Sequence, residues 1–95
     1  MVVGVAQLTL MIHSSFSLKD KRSVLRQIKD RTSNKFNVSI AEVDDNDIQN
    51  RAVLGLAVVG NDRRHVNSSL DVILQFIEDL HLAEVVSSDL ELLNY

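Results

Sequence analysis

The stretch MVVGVAQLTLMIHSSFSLKDKRS, residues 1–23, contains the junction that decides the fold. Its first half alternates between two faces, which is the pattern of a strand with one buried face. The apolar face is formed by Ala6, Leu8, Leu10 and Ile12. The motif His-Ser-Ser-Phe-Ser then breaks the alternation. Ser17 followed by Asp20 at the third helical position predicts that a helix begins there, because a serine side chain caps free helical N–H groups well.

The rest of the chain continues as alternating elements. From Leu18 to about Phe36, apolar residues recur at helical spacing, and the predicted core stripe is Leu18, Leu25, Ile28 and Thr32. A strand over residues 36–43, a polar turn over residues 44–47 and an apolar strand over residues 52–60 follow. Asn61 or Asp62 then caps a second helix, and a last strand covers residues 85–93.

The element order predicts one ferredoxin-like α+β domain over residues 1–95. This βαββαβ fold has a four-stranded antiparallel sheet with both helices on one face. We further expect right-handed crossovers to place the first and third strands side by side, running parallel, in the middle of the sheet. Both helices would then begin at the same edge, and the turn over residues 44–47 would lie at the opposite edge.

Composition narrows the class of protein. The 95 residues, 45% hydrophobic and 24% charged, are typical of one soluble globular domain. No apolar run approaches the ~20 residues of a membrane span, so no membrane contact is expected. The absence of cysteine excludes disulfides and thiol chemistry and favours the cytoplasm. The three histidines lack metal-ligand spacing, and neither a metal nor a cofactor is predicted.

Charge is distributed unevenly along the chain. Residues 19–35 hold seven basic and two acidic residues, a local charge of +5, whereas the remainder carries −8, for a net charge of −3. Such a cationic helix can bind a polyanion while the rest of the surface repels it. We predict that Lys19, Lys21, Arg22, Arg26, Lys29, Arg63 and Arg64 contact nucleic-acid phosphates. The alternative is that the helix merely presents a solvated face.

A second candidate follows from the expected meeting of the two helix N-termini. Ser14, Ser15, Ser17 and Lys19 would then face Asn61, Arg63, Arg64 and His65. Free N–H groups and basic side chains together favour a small anion. The alternative is that Asp62 offsets Arg63 and Arg64, which then stay in water.

The sheet face away from the helices is the third candidate surface. Its predicted residues are Val5, Gln7, Thr9, Met11, Ser39, Ala41, Val43, Val53, Gly55, Ala57 and Val59, most of them small and apolar. A bare patch of this kind indicates a partner, often a second copy of the chain, and we expect a homodimer through this face. RNA stacking on the sheet is disfavoured, because it needs aromatic residues on central strands.

Several segments resemble a known family over nearly the whole chain. The segments are SLKDKRSVLR (residues 17–26), FNVSIAEVD (residues 36–44), Arg51-Ala52 and Asn61-Asp62-Arg63. They are similar to the YlxP-like family of small bacterial proteins. That resemblance implies a ferredoxin-like fold and supplies no catalytic residues, since the family has no established activity. Its members are commonly encoded near transcription-termination, translation-initiation and ribosome-maturation factors, which suggests association with RNA or the ribosome.

The leading functional prediction is therefore a non-enzymatic, RNA- or ribosome-associated module that uses its basic first helix. The alternative is a protein-interaction or homodimerisation module without nucleic-acid contact. Acylphosphatases share the predicted topology, but their chemistry needs a glycine-containing loop with an arginine after the first strand. Residues 13–19 contain neither, which disfavours an enzyme of that type.

Overall fold

The computed structural model describes all residues from Met1 to Tyr95. Six elements follow one another in the predicted order. They are β1 (Val2–Met11), α1 (Leu18–Lys35), β2 (Ser39–Asp44), β3 (Arg51–Gly60), α2 (Arg63–Asp79) and β4 (Glu84–Asn94). Neither helix is long and apolar enough to cross a membrane.

The strands form one sheet in the order β2-β3-β1-β4, and every neighbouring pair is antiparallel. The ferredoxin-like fold class is thereby confirmed, but the predicted parallel pairing of the two central strands is wrong. The crossover through α1 makes β2 parallel to β1 while leaving a gap between them. Because β3 returns from β2 through a hairpin, it fills that gap and runs opposite to both neighbours.

This reversal separates the two helix N-termini. Met11 pairs with Arg51 at one end of the central strands, and Val2 pairs with Gly60 at the other. Since α1 follows Met11 and α2 follows Gly60, the two helices begin at opposite ends of the sheet, about 30 Å apart for ten-residue strands. The prediction that both helices begin at the same edge of the sheet, with the turn over residues 44–47 at the opposite edge, was wrong. The β2–β3 turn lies beside the start of α1, where Ile12 N–H donates to Asn50 O over 2.8 Å.

The core lies between the sheet and the two helices. The even-numbered side of β1 is buried as predicted, and Leu10 and Leu54 are fully inaccessible. From the helices, the buried apolar residues are Leu25, Ile28, Val66, Leu70, Ile73 and Ile77. Removing each such side chain from water stabilises the fold by roughly 1.5–3 kcal/mol, so the amphipathic stripes hold both helices on one face.

Both helices begin at the residues that the sequence indicates. The Ser17 side chain accepts from Asp20 N–H over 3.0 Å, and the Asp62 carboxylate accepts from Arg64 N–H over 2.9 Å. The helices are joined at the other end of α1, where the rings of Phe36 and Phe76 meet edge to face at 5.3 Å. Lys35 Nζ lies 5.2 Å from the Phe76 ring centre, a cation–π distance.

Candidate nucleic-acid interface

Four basic side chains form a row along α1, which we call the basic row: Lys19, Arg22, Arg26 and Lys29. The first three are exposed and Lys29 is half-buried. Successive members are three or four residues apart, so they share one flank of the helix. From first to last the row extends about 15 Å along the helix axis.

The basic row points away from α2. Lys35 marks the flank of α1 that faces α2, because its ammonium lies over the Phe76 ring. At 3.6 residues per turn, the row lies roughly 120–180° around the helix axis from Lys35. The four cations are therefore on the outer flank of the helix layer, where a large ligand can approach without meeting α2.

No member of the basic row forms an ion pair within the chain. The chain forms two ion pairs, Lys21–Glu42 and Arg51–Asp45, and a hydrogen-bonded His13–Glu84 contact, and none includes a member of the row. Neighbouring like charges on a helix destabilise it by a few tenths of a kcal/mol per pair. A bound polyanion would remove this repulsion.

Lys21 does not belong to this surface. Its side chain is 1% exposed, and its ammonium donates to the backbone carbonyls of Asp45, Asn46 and Arg51 at 2.8, 3.2 and 3.2 Å. All three N–H groups of the ammonium are used there, so the prediction that Lys21 contacts a phosphate was wrong. A signal was present in the sequence, since Lys21 continues the buried stripe of Leu25 and Ile28 at helical spacing.

Glu42 completes the environment of the buried ammonium. Its Oε2 lies 2.9 Å from Lys21 Nζ, but it is buried and receives no hydrogen bond. The carboxylate attracts the ammonium directly, at a distance shorter than two of the three carbonyl contacts. Removing Lys21 would therefore leave a largely buried carboxylate, 17% exposed, without a compensating charge.

Arg63 and Arg64 lie apart from the basic row. Both are exposed in the first turn of α2, at the opposite end of the sheet from Lys19. The predicted cluster of both helix starts does not form, because the central strands are antiparallel. Ser15 is buried instead, and its hydroxyl bonds the backbone oxygens of Gln49 and Ser17.

Phe16 is a surface feature that the sequence analysis did not single out. It directly precedes the cap residue Ser17, three residues before Lys19, and its side chain is 77% exposed. Phe36 and Phe76 are half-buried by comparison. An exposed aromatic ring close in sequence to a row of cations is a combination common at nucleic-acid binding surfaces.

The sheet face opposite the helices carries a shallow groove of about 610 Å³. Val5, Gly55 and Ala57 form its floor, and Val43 packs over Gly55. The carboxylates of Asp89 and Glu91 lie along its β4 side. The groove therefore has an apolar centre and a polar margin, which is the usual anatomy of a protein–protein contact.

A second cleft of about 540 Å³ lies where α2 ends beside the start of β4. It contains His13 and Glu84, whose Nε2 and Oε1 are 2.8 Å apart, together with Glu78 and His81. No three histidine, aspartate or glutamate side chains come together in a way that could hold a metal ion.

Comparison with known proteins gives one family. The family described as "Protein of unknown function (DUF503)" matches residues 3–90. The uncharacterised protein YlxP of Bacillus subtilis is 39% identical over 77 residues, which span 81% of this chain and 84% of the relative. Among solved structures, SnoaB, a cofactor-independent oxygenase from Streptomyces nogalater, is 14% identical, with a TM-score of 0.46 over 99% of this chain and 92% of that chain. A likeness at that level carries no argument about activity.

Proposed function

The chain belongs to the DUF503 family of proteins of unknown function, and from its surface we propose that it is a non-enzymatic cytoplasmic module that binds RNA, with ribosomal RNA as the leading target. The observation that carries the proposal is the basic row on the outer flank of α1, which has no carboxylate partner within the chain. Arg63 and Arg64 lie outside this interface.

The physical basis of binding is the exchange of condensed counterions for fixed cations. Each lysine or arginine of the row that contacts a phosphate releases counterions from the RNA, and this release favours binding most at low salt. Contacts of this type position the protein on the backbone and do not read sequence. The rest of the chain carries a net charge of −8 and repels RNA, which favours contact through α1.

Sedimentation with ribosomal subunits tests this proposal, and the chain offers a matched control. The row variant replaces Arg22, Arg26 and Lys29 with Ala, whereas the control variant replaces Arg31, Arg63 and Arg64 with Ala. Both remove three positive charges. The wild-type protein and the control variant should migrate with a subunit at low and moderate salt, and the row variant should stay at the top of the gradient.

Three results would count against the proposal. Wild-type protein at the top of the gradient under both salt conditions would remove the ribosomal target. Equal migration of the row variant and the wild-type protein would remove the basic row as the interface. Equal weakening of both charge variants would show that net charge, rather than the row, governs binding.

The open sheet face supports a second proposal, that two copies of the chain pair through it. Three strands of ten or eleven residues and the six-residue β2 cover roughly 590 Å², so two such faces would bury on the order of 1,200 Å², at the lower end of the range of stable interfaces. The small side chains at the centre, Gly55 and Ala57, allow close approach. Asp89 and Glu91 would remain at the solvated rim.

A further inference from the structure

The exposure of Phe16 follows from the burial of Lys21. A hydrophobic residue just before a helix cap commonly packs on the fourth helical residue, an arrangement called a hydrophobic staple. In α1 that fourth residue is Lys21, whose ammonium is buried among backbone carbonyl oxygens and the Glu42 carboxylate. The ring of Phe16 therefore has no apolar partner at that position and stays 77% exposed.

The backbone that presents Phe16 is held in place. Its own N–H donates to Asp20 Oδ2 over 3.1 Å, and the preceding Ser15 is buried and bonded to Gln49 O. A ring presented from a fixed backbone loses little conformational entropy on binding, because only two side-chain torsions remain to be ordered. The arrangement favours a ligand over an accidental exposure.

We propose that Phe16 stacks on an unpaired base of single-stranded RNA whose phosphates lie along the basic row. This inference depends on the proposed function and narrows it to a substrate class. Duplex RNA stacks its bases internally and hides their faces, whereas single strands can splay a base onto an aromatic ring. Lys19, three residues after Phe16, is the nearest member of the row along the chain.

Stacking on a phenylalanine carries no hydrogen-bond recognition of the base. The ring of Phe16 has neither donor nor acceptor, so any of the four bases can occupy the site. Specificity would arise from the presence of an unpaired base rather than from its identity. The proposed ligand is thus a loop, a bulge or an end of RNA beside a segment whose phosphates reach the basic row.

Four proteins test the inference: the wild type and the variants Phe16→Ala, Phe16→Leu and Phe16→Trp. Each is titrated with a short single-stranded oligonucleotide and with a duplex of equal length. Loss of one stack should weaken single-strand binding by about 5- to 150-fold in Phe16→Ala and Phe16→Leu. Duplex binding should be unchanged, and Phe16→Trp should bind the single strand at least as tightly as the wild type.

The Phe16→Trp variant gives a direct signal of stacking. The chain contains no tryptophan, so position 16 would hold the sole indole. Stacking against a base should quench its fluorescence on addition of the single strand, and the duplex should leave the fluorescence unchanged.

The outcomes separate the two proposals. If Phe16→Ala or Phe16→Leu binds the single strand as tightly as the wild type while the row variant loses binding, stacking is overturned and the RNA function stands. Full binding by Phe16→Leu alone would identify an apolar contact and equally overturn stacking. If the wild type binds neither RNA, the proposed function fails, and stacking fails with it.

Discussion

Lys21 and Glu42 form a buried ion pair, with Nζ and Oε2 2.9 Å apart, between α1 and the sheet. The same ammonium holds the β2–β3 turn through the carbonyl oxygens of Asp45 and Asn46. One lysine thus fixes the start of α1 against two other segments. Because Phe16 and Lys19 lie on either side of that start, this pair positions both parts of the proposed RNA surface.

We predict that Lys21→Met is strongly destabilising. Removing the ammonium leaves the largely buried Glu42 carboxylate without a compensating charge and takes one donor from each of three backbone carbonyls, and breaking a buried pair in this way costs about 3–5 kcal/mol. Glu42→Gln should cost less, since the ammonium keeps its three carbonyl partners. The free energy of unfolding from urea titration measures both effects.

The matched control for Lys21 is Lys19→Met, the same replacement at an exposed position of the first helical turn. Surface substitutions of this kind change stability by about 0.5 kcal/mol or less. Equal unfolding free energies for the two methionine variants would contradict a structural role for Lys21.

Most of the fold could be predicted because the patterns that carry it are local. Alternation along β1, the helical stripe of α1 and the cap residues Ser17 and Asp62 all depend on neighbours in sequence, and the structure confirms them. The direction of β3 relative to β1 depends on a non-local feature: the β2–β3 hairpin inserts β3 between β2 and β1. The sequence prediction placed β3 parallel to β1, and for that reason it wrongly placed both helix N-termini at the same edge of the sheet.

The candidate site was less predictable because charge alone does not determine burial. Lys21 and Arg22 are adjacent and each carries one positive charge, yet one is fully buried and the other is exposed. The position of Lys21 on the apolar stripe was the only sequence signal, and its carbonyl partners come from a turn more than twenty residues away. The exposure of Phe16 follows from that burial, so it too becomes visible only in three dimensions.

Two glycines on opposite faces of the sheet should respond differently to alanine. A Cβ at Gly4 would lie 2.6 Å from both Leu70 Cδ1 and Val66 Cγ1, in the closely packed contact with α2. We expect Gly4→Ala to cost about 1–3 kcal/mol through overpacking. Thermal or urea unfolding measures the loss.

Gly55→Ala is the comparison for Gly4. A Cβ at Gly55 would meet only Val43, which is 52% exposed and has room to move, so stability should be unchanged or slightly raised. If Gly55→Ala destabilised the protein as much as Gly4→Ala, the account of the open sheet face would be wrong.

The proposed pairing of two copies predicts that Ala57→Glu yields a monomer. Ala57 lies at the centre of the open sheet face, where a dimer would bury the new carboxylates without partners. Sedimentation equilibrium gives the mass directly. Val72→Glu, an equal substitution at an exposed position of α2, should leave the dimer intact.

A wild-type protein that is monomeric at all concentrations would exclude this pairing, as would an Ala57→Glu variant that retains the dimer mass. If Ala57→Glu became monomeric and still bound RNA with wild-type affinity, the two surfaces would be independent. That independence is expected, because the basic row lies on the helix layer and Ala57 lies on the opposite face.

The central claim is that the basic row of α1 contacts RNA phosphates. Its most direct test is the slope of log affinity against log salt concentration for single-stranded RNA, measured for the wild type, the row variant and the charge-matched control. Each lost phosphate contact should flatten the slope by about 0.7, so the row variant should be flatter by about 2 while the control variant keeps the wild-type slope. Identical slopes and affinities for all three proteins would contradict the claim.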